Sequence, residues 1–518
     1  MRFSDYFDLT AERHADAVAI VEGEARLTFS AVKEMMHAAG NALVHDPSVK
    51  AGAHVAIYSH NQYWVPILSL AISRADMASI AVQVRSSIDA NSQVLSFMDC
   101  DVMFFHSAYE KEVTELKARV PNISRYICID GDSVHGPSLE CWLEEFNKPY
   151  VSGMEDPDAV ASLRPTGGTT GPSKGVVHTN RTSEITLVNA LQNMPEMEAE
   201  ARYLAVAPLS HASGAMAAMT LIAGGCVVVS NNTHPDELLR AIEQYRITTM
   251  FLPPTLLYMV MASPLIGDVD LSSLKVIRVG AAPISPEKFK MAVKIFGPVL
   301  HEAFGQTECS IGMTEKGPED YLNEDGSFNE AVLPSMGKPS SYLRMEIMDP
   351  EGNILPVGEK GEIVVQTSMV MAGYYKNPEE TAATIKDGWL HTGDVGIKDE
   401  QGYVTLVDRL KDMIISGGFN VYPAQIEAVI QGHESVLDCI VVGVPDEKWG
   451  EAVKAVVQLK PGCECTDEAL MAMCRDSLGA VYTPKSVEFR TALPRSPAGK
   501  LLRREVRAEY WADQERAL

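Results

Sequence analysis

Two hydrophobic periods alternate along the N-terminal half of the chain and predict layers of helices and strands. Apolar residues recur at helical spacing from Ala31 to Leu43 and from Trp64 to Ser73. Between them, His54 to Tyr58 is a short run with the pattern of a strand, and Val276 to Val279 has that of a buried strand. Alternation of this kind is typical of α/β architectures.

The pattern changes from about Gly337 onward to short strands separated by turns. Arg344 to Met348, Gly361 to Thr367 and Gly402 to Val407 have strand patterns. Turn sequences rich in Asp and Gly stand between them. This succession of short strands and turns predicts a small β-barrel subdomain over about residues 337–408.

A compact α+β segment follows the predicted barrel. Helical spacing covers Pro423 to Gln431 and Glu468 to Leu478. Strand patterns cover Val436 to Val444 and Ala452 to Leu459. We therefore predict an α/β protein with two domains. These are a large N-terminal domain of two α/β layered subdomains plus the barrel, residues 1–408, and a small mobile α+β C-terminal domain, residues 409–518.

Composition and charge narrow the class of protein. The 518 residues are 46% hydrophobic and 22% charged, which is ordinary for a globular protein. The formal net charge of −25 argues against a nucleic acid or an anionic membrane as partner, because both attract positive surfaces. An anionic substrate must therefore be received by local positive groups.

The cysteines and the apolar runs indicate the cellular compartment of the protein. The nine cysteines are scattered without zinc-site spacing, and the chain start lacks the apolar run of a signal peptide. The longest apolar stretch, Gly214 to Val229, is interrupted and falls short of a membrane span. It predicts a buried helix followed by a strand, and we expect a protein of the reducing cytoplasm.

The segment at residues 166–175 carries the strongest chemical signal in the sequence. It reads Thr-Gly-Gly-Thr-Thr-Gly-Pro-Ser-Lys-Gly. Glycines let the backbone close around a ligand, and hydroxyls, amides and a lysine bind anionic oxygens, so the segment predicts a phosphate-binding loop. It is not a Walker A loop, because Lys174 follows Ser173 where that motif has glycine. A surface loop rich in Gly and Thr is the alternative.

This segment resembles the phosphate-loop signature of the adenylate-forming superfamily, which includes acyl-CoA synthetases, stand-alone adenylation domains and beetle luciferases. Gly167 stands where serine is usual and Ser173 where proline is usual. The resemblance covers roughly residues 10 to 510, and its specificity comes from the order of several short motifs. It implies a two-step reaction that uses ATP, Mg²⁺ and coenzyme A.

Further segments resemble the superfamily's nucleotide-binding motifs. Gly305 and Thr307 precede Glu308, which the resemblance makes a Mg²⁺ ligand, and Phe304 replaces a more usual tyrosine as the stacking face for adenine. The small residues 280–283, Gly-Ala-Ala-Pro, stand where relatives approach the adenine, although a tight turn explains them equally well.

The C-terminal part carries five further positions of the family pattern. Asp394 resembles the ribose-binding aspartate, and Arg409 follows where it can bridge ribose and phosphate. Lys411 falls at the hinge about which relatives rotate the small domain. Gly418 lines the pantetheine tunnel in relatives, and Lys500 resembles the lysine that drives adenylation. A turn aspartate and a surface lysine are the alternatives for Asp394 and Lys411.

The resemblance thus assigns catalytic roles and binding roles to specific residues. The catalytic candidates are Lys500, Thr170, Glu308 and His211. The candidates for binding ATP and coenzyme A are Thr166, Gly168, Thr169, Thr170, Gly171, Lys174, Gly280, Ala281, Ala282, Pro283, Phe304, Gly305, Thr307, Asp394, Arg409 and Gly418.

The acyl pocket is expected to follow residues 208–216. His211 resembles a pocket-side histidine of acyl- and aryl-CoA synthetases, although a core histidine is equally compatible with the sequence. Met216 and Met219 favour a roomy apolar pocket for an aromatic, alicyclic or medium-chain acid. No aspartate that would pair with an amino-acid amine stands between Pro208 and Met219.

The function predicted from these residues is an acyl-CoA synthetase that forms AMP. Free coenzyme A is the expected acceptor, because the chain ends soon after Lys500 without a carrier domain. Loading of a separate carrier protein and an inactive nucleotide-binding regulator are the alternatives. We expect a small carboxylic acid and coenzyme A as partners, neither nucleic acid nor a membrane span, and an arrangement compatible with a homodimer.

Overall fold

The computed structural model describes residues 1–151, 153, 156–166, 174–282, 284–495 and 501–511. Its strands, in chain order, are β1 Val18–Glu22, β2 Ala25–Thr28, β3 His54–Tyr58, β4 Ala78–Ile80, β5 Val102–Phe105, β6 Arg125–Cys128, β7 Val160–Thr166, β8 Lys174–Thr179, β9 Arg202–Ala205, β10 Cys226–Val229, β11 Thr249–Leu252, β12 Val276–Val279, β13 Leu300–Glu302, β14 Thr314–Glu315, β15 Lys338–Pro339, β16 Arg344–Met348, β17 Lys360–Gln366, β18 Gly373–Tyr374, β19 Ile385–Lys386, β20 Trp389–Lys398, β21 Val404–Arg409, β22 Ile414–Ser416, β23 Phe419–Val421, β24 Val436–Asp446, β25 Gly450–Leu459 and β26 Ser486–Arg490.

The helices lie between these strands. In chain order they are α1 Phe3–Arg13, α2 Phe29–His45, α3 Trp64–Arg74, α4 Ile88–Phe97, α5 Glu110–Arg119, α6 Leu139–Phe146, α7 Asn180–Asn193, α8 Ala212–Ala223, α9 Pro235–Tyr245, α10 Pro254–Met261, α11 Pro286–Phe296, α12 Pro318–Tyr321, α13 Pro378–Thr384, α14 Pro423–Gln431, α15 Asp467–Leu478 and α16 Arg503–Tyr510. No helix in these described ranges is both long and apolar enough to cross a membrane.

Two seven-stranded sheets form the α/β layers of the N-terminal region. The first has the order β13-β12-β11-β9-β10-β1-β2 and is parallel except at β2. The second has the order β18-β8-β7-β4-β3-β5-β6, and its β3 to β7 part is parallel. Strands buried on both faces, such as β10 and β12, have the continuous apolar runs that parallel sheets require.

Helices from both sheets share one core. The apolar faces of α1, α2, α3 and α8 pack together, with side chains such as Phe7, Phe29, Leu68 and Leu221 fully buried. A buried core of this kind holds the edges of the two sheets in a fixed relation. The space between α3, α7 and α8 is where the large cavity described below lies.

The remaining strands form three smaller sheets, of which the antiparallel β14–β15 pair is the smallest. Strands β16, β17, β19, β20 and β21 make a five-stranded antiparallel sheet, which accounts for the strand-and-turn texture of residues 337–408. Strands β22 to β26 make a second five-stranded sheet, with its own core beneath α14 and α15. The predicted fold class, a large N-terminal region of α/β layers and a smaller C-terminal α+β unit, is confirmed. The boundary at residue 408 stays a prediction.

Candidate active site

A hairpin brings the two ends of the predicted phosphate loop together. Strands β7 and β8 pair antiparallel, and Thr166 lies opposite Lys174 in their register. The two residues that flank the predicted phosphate loop are therefore neighbours at the end of this hairpin. Residues 167–173, which include the candidates Gly168, Thr169, Thr170 and Gly171, lie outside the described part of the chain.

Lys174 and Glu308 belong to one cluster of side chains. The ammonium group of Lys174 pairs with the carboxylate of Glu380 and lies 4.8 Å from the centroid of the Tyr374 ring. The Tyr374 hydroxyl donates a hydrogen bond of 2.7 Å to Oε1 of Glu308. Two residues predicted from separate motifs are thus joined through a tyrosine that has no motif of its own.

The residue before Glu308 is fixed by a buried histidine. Nε2 of His178 donates a hydrogen bond of 2.8 Å to the backbone carbonyl of Thr307. Burial lowers the pKa of His178 to about 4, so the imidazole is neutral at physiological pH. A neutral imidazole that donates from Nε2 holds the Thr307–Glu308 turn without adding charge beside the predicted phosphate position.

Glu308 has the chemistry of a single-carboxylate magnesium ligand. Oε1 of Glu308 accepts the hydrogen bond from Tyr374, and the carboxylate has further oxygen lone pairs that can bind a metal ion. Nucleotide-bound Mg²⁺ takes one or two protein carboxylates together with phosphate oxygens and water, and Glu308 fits that requirement. Among the described residues no cluster of three or more acidic, His or Cys side chains forms a closed metal cage.

The two segments predicted to hold adenine are neighbours. The backbone N–H of Ala303 donates to the carbonyl of Val279 over 3.2 Å, which places residues 280–282 beside residues 304–305. A Cβ on Gly280 would stand 3.1 Å from the Ala303 carbonyl oxygen, so the close approach favours glycine there. Ala281 has a φ of +68°, a backbone conformation that non-glycine residues rarely adopt. Pro283 lies outside the described residues.

Asp394 and Arg409 are paired across two strands. They face each other in the β20–β21 register, and Nε of Arg409 donates to Oδ1 of Asp394 over 3.2 Å. Asp394 is only 2% exposed, whereas Arg409 is largely open to solvent. The sequence placed a ribose-binding aspartate and a bridging arginine here, and the structure brings these two side chains into contact.

The turn around Asp394 approaches the Lys174 cluster through the predicted hinge. The backbone N–H of Leu410 donates to the carbonyl of Gly393 over 2.8 Å. The charge of Lys411 adds to that of Lys174 in holding the pKa of Glu380 below its ordinary value. The predicted hinge lysine therefore lies near the carboxylate that pairs with the predicted phosphate-loop lysine.

One C-terminal candidate, Gly418, lies in a described hairpin, and only the residues that flank the other, Lys500, are described. Gly418 follows Gly417 in the turn between β22 and β23 and has a φ of +83°. A Cβ at this position would have no described atom within 4 Å. Arg495 and Leu501 form an isolated antiparallel bridge, so the ends of the loop that carries Lys500 are close together. Residues 496–500, Lys500 included, lie outside the described part of the chain.

A cavity of about 540 Å³ opens between the two α/β layers. His211 stands at the start of α8 on its wall, contacts the side-chain amide of Gln83, and has a pKa lowered mainly by burial. Ser162, Ser79 and Asn61 line it together with apolar side chains. The cavity has room for an acid of the expected size, and polar side chains share its walls with apolar ones, so the expected apolar acyl pocket stays a prediction.

Sequence reasoning missed the residues that connect the motifs. Tyr374, Glu380 and His178 stand outside the motifs quoted above, and Arg164 precedes the phosphate loop on β7. None of these residues stands in a recognisable motif, because their places in the site depend on contacts between positions far apart in the sequence.

Comparison with known proteins identifies the family. Residues 7–375 match the protein family described as AMP-binding enzyme, and residues 425–500 match the family described as AMP-binding enzyme C-terminal domain. The chain belongs to the AMP-binding enzyme family, within the adenylate-forming superfamily that the sequence motifs predicted.

Two curated relatives cover different shares of the chain. It is 39% identical over 378 residues to the medium/long-chain-fatty-acid–CoA ligase FadD8 of Mycobacterium tuberculosis, a match that covers 72% of this chain and 65% of that protein. It is 33% identical over 497 residues to a feruloyl-CoA synthase of an Amycolatopsis species, covering 95% of this chain and 96% of that protein. These relatives confirm the predicted enzyme class, an acid–thiol ligase.

A solved structure matches the whole fold. The amide bond synthetase McbA from Marinactinospora thermotolerans superimposes with a TM-score of 0.88 at 30% identity, covering 98% of this chain and all of that one. Similarity over the full length includes both the α/β layers and the small C-terminal unit.

Proposed function

We propose that the chain is an ATP-dependent carboxylate–CoA ligase of the cytoplasm. The observation that carries the proposal is the cluster in which Tyr374 joins Lys174 to Glu308. It places a cation suited to phosphate oxygens beside a carboxylate suited to magnesium. All nine cysteines are free thiols, which supports a reducing compartment.

In the first half-reaction an oxygen of the acid attacks the α-phosphorus of ATP, and pyrophosphate leaves with the bonding electrons. Lys174 would bind phosphate oxygens, and the Thr307 segment, held by His178, would position the α-phosphate. Glu308 would hold Mg²⁺, which neutralises phosphate charge when it is bound. Lys500 would supply the final cation for the developing negative charge.

In the second half-reaction the thiol of coenzyme A attacks the acyl carbonyl carbon, and AMP leaves with the bonding electrons. We propose that the C-terminal unit rotates about Lys411 between the two steps, so that Gly418 replaces Lys500 beside the site. The space around Gly418 is open, which supports the approach of the thiol arm of coenzyme A, while the positive φ by itself already favours glycine at this position.

The proposed acid is aromatic, alicyclic or of medium chain length. A cavity of about 540 Å³ has the size of an ordinary small-molecule site and is larger than acetate needs. The names of the two curated relatives, a fatty-acid ligase and a feruloyl ligase, support acids of this size.

Pyrophosphate exchange tests the first half-reaction. We expect exchange with at least one acid among octanoate, benzoate, cyclohexanecarboxylate and 4-hydroxy-3-methoxycinnamate. Glu308→Gln removes the carboxylate charge but retains an acceptor for Tyr374, and it should reduce exchange strongly. Tyr374→Phe is the matched control, because it removes the hydrogen bond and keeps the charge, and it should reduce exchange far less. Equal effects of the two variants would contradict the metal-binding role of Glu308.

Product analysis decides the acceptor. The 30% identity to an amide bond synthetase favours an amine as the second candidate acceptor. Incubation of the acid and ATP with coenzyme A alone should give the thioester, whereas incubation with a primary amine should give little amide. Turnover only with an amine, or only with a carrier protein, would replace coenzyme A in the proposal. Absence of exchange with every acid would favour a nucleotide-binding regulator.

A further inference from the structure

The large cavity is positively charged inside a strongly acidic protein. Arg85 and Arg164 both line it, and none of its described lining residues is an aspartate or a glutamate. The chain as a whole has a formal net charge of −25. A cavity that excludes carboxylates in such a protein is suited to receive an anion, because a desolvated cation without a counter-charge is costly.

Arg164 is held in the cavity wall by strand geometry. Side chains alternate along β7, so Ser162 and Arg164 share one face, while Leu163 between them packs into a core cluster on the other. The backbone of Arg164 pairs with Val176 in the β7–β8 ladder, whereas its guanidinium forms no hydrogen bond or ion pair with any residue that the structure describes. Burial alone lowers the pKa of its guanidinium, which is consistent with the absence of a neighbouring carboxylate among these residues.

Arg164 lies at the end of the cavity that faces the proposed phosphate site. It precedes Thr166 by two positions, which is about 7 Å along a strand. Its charge contributes to the lowered pKa values of both His178 and His211, so it lies near both imidazoles. His178 contacts Thr307 and His211 lines the cavity, so Arg164 lies between the proposed nucleotide and acyl positions.

We propose that Arg164 binds the carboxylate of the free acid and holds it toward the α-phosphate before adenylation. This inference rests on the proposed function and deepens it. The planar guanidinium can donate two parallel hydrogen bonds to a carboxylate, which fixes both the position and the orientation of the anion. The bound acid also supplies the counter-charge that the half-buried guanidinium lacks among the described residues.

The interaction weakens as the reaction proceeds. When the carboxylate oxygen bonds to phosphorus and pyrophosphate leaves, the acyl group becomes the neutral carbonyl of a mixed anhydride. Arg164 then faces no anionic acyl oxygen, and the thiol attack that follows does not need it. Arg164 is therefore required for binding of the acid and for the first half-reaction, and not for the second.

Binding measurements on Arg164→Gln test this role directly. The probes are whichever acid of the four-acid panel gives the fastest exchange, and the primary amide of the same acid. We expect the dissociation constant of the acid to rise about tenfold to hundredfold, the range of a lost hydrogen bond to a charged group. The dissociation constant of the neutral amide should change by less than about twofold, and Arg164→Lys should recover part of the affinity for the acid.

Two controls separate a local contact from general charge and from folding. Arg181→Gln removes the same charge from an exposed position outside the cavity wall, and the acid affinity should stay within about twofold of the original. Thermal unfolding of Arg164→Met without acid should occur at an unchanged or higher temperature, because an unpaired buried charge has been removed. A purely structural arginine would instead lower the unfolding temperatures of Arg164→Gln and Arg164→Met.

Several outcomes would overturn the inference. Unchanged acid affinity in Arg164→Gln would exclude the contact, and a weakened affinity for ATP alone would assign Arg164 to phosphate. Loss confined to acids with a second polar group would place the contact at the distal end of the substrate. Equal loss in both half-reactions would contradict the charge argument. Pyrophosphate exchange by the unmodified protein distinguishes a wrong role for Arg164 from a wrong proposed function. If the unmodified protein is active, the ligase proposal stands whatever the Arg164 variants show.

Discussion

Individual side chains at the proposed site bind one another, so a ligand must compete with these contacts. Lys174 is paired with Glu380 and lies over Tyr374, and Tyr374 is bonded to Glu308. A phosphate oxygen that binds Lys174 must therefore compete with the Glu380 carboxylate. The pair is partly exposed, so its contribution is small, on the order of 0–1 kcal/mol.

Removal of the competing charge should tighten ATP binding. In Glu380→Gln the ammonium of Lys174 loses its ionic partner, and we expect the dissociation constant for MgATP to fall by up to about fivefold. Isothermal titration with a non-hydrolysable ATP analogue measures this change. Glu379→Gln removes the same charge from an exposed neighbour and should leave the affinity unchanged. Weaker binding in Glu380→Gln would mean that Glu380 orients Lys174 for the phosphate.

Lys500 should matter for one half-reaction only. Lys500→Ala removes the cation proposed to offset charge on the α-phosphate, and we expect adenylation to fall by about 10²–10³ or more. Thioester formation from a supplied acyl-adenylate should be largely retained, because that step does not build charge on the phosphate. The comparison is made by measuring pyrophosphate exchange and, in parallel, thioester formation from the supplied acyl-adenylate. Parallel loss of both activities would contradict the role of Lys500.

The sequence predicts the residues of a site better than the contacts between them. Lys174 and Glu308 stand in recognisable motifs, so their chemistry is visible in the sequence. Tyr374 and Glu380 carry no motif, and their roles depend on packing between segments about 70 and 200 positions apart. Arg164 is similar, because a cavity exists only after two sheets and three helices have packed.

At the scale of elements, hairpins and bridges position the loops that carry the chemistry. The β7–β8 hairpin closes the phosphate loop, the β22–β23 hairpin presents Gly418, and the Arg495–Leu501 bridge closes the loop that carries Lys500. Antiparallel pairing fixes the two ends of a loop and leaves its tip to the ligand. Antiparallel pairing therefore flanks all three of the loops that the sequence predicts to carry chemistry.

Gly418 provides a test of the second half-reaction. Gly418→Ala and Gly418→Leu share the backbone cost of a positive φ, about 1–2 kcal/mol, but only leucine adds bulk. We expect Gly418→Leu to lose thioester formation while adenylation continues, and Gly418→Ala to retain most of both. Single-turnover measurements of the two half-reactions give the result. Normal thioester turnover in Gly418→Leu would exclude the proposed tunnel position.

Element types could be predicted from the hydrophobic pattern, whereas some boundaries could not. The strands at 54–58, 276–279 and 344–348 and the helix at 423–431 coincide with those predicted. Strand β17 is shifted by one residue and β21 by two, because the ladder with a neighbouring strand and not the local pattern decides where pairing ends.

At the scale of the whole molecule, one ionic cluster ties the last helix to the predicted joint between the two domains. The guanidinium of Arg503 lies 2.7 Å from Asp412 and 2.6 Å from Glu427, and its Nη1 is 3.6 Å from Asp408. Asp408 also accepts backbone N–H groups from Arg409 and Ala424, each at 2.7 Å. This cluster couples the end of β21 to α14 and α16.

Asp408 should make the stability of this joint depend on pH. Burial, which outweighs the nearby Arg503, raises the pKa of Asp408 from 3.8 to about 6 in the folded protein. Between these two values the folded state holds a proton that the unfolded state has released. The contribution of Asp408 to stability therefore falls as pH rises through this window, by up to about 3 kcal/mol.

Asp408→Asn should remove this dependence, since an amide does not titrate between pH 4 and pH 7. The amide cannot accept the Ala424 hydrogen bond at its nitrogen, which adds an offset that is the same at every pH. Urea unfolding of both proteins from pH 4 to pH 7 should show the variant gaining stability relative to wild type as pH rises. Val436→Ala, a buried apolar truncation in the same unit, should give an offset without a slope. Parallel curves for Asp408→Asn and wild type would mean that Asp408 is ionised throughout this range, with Arg503 outweighing its burial.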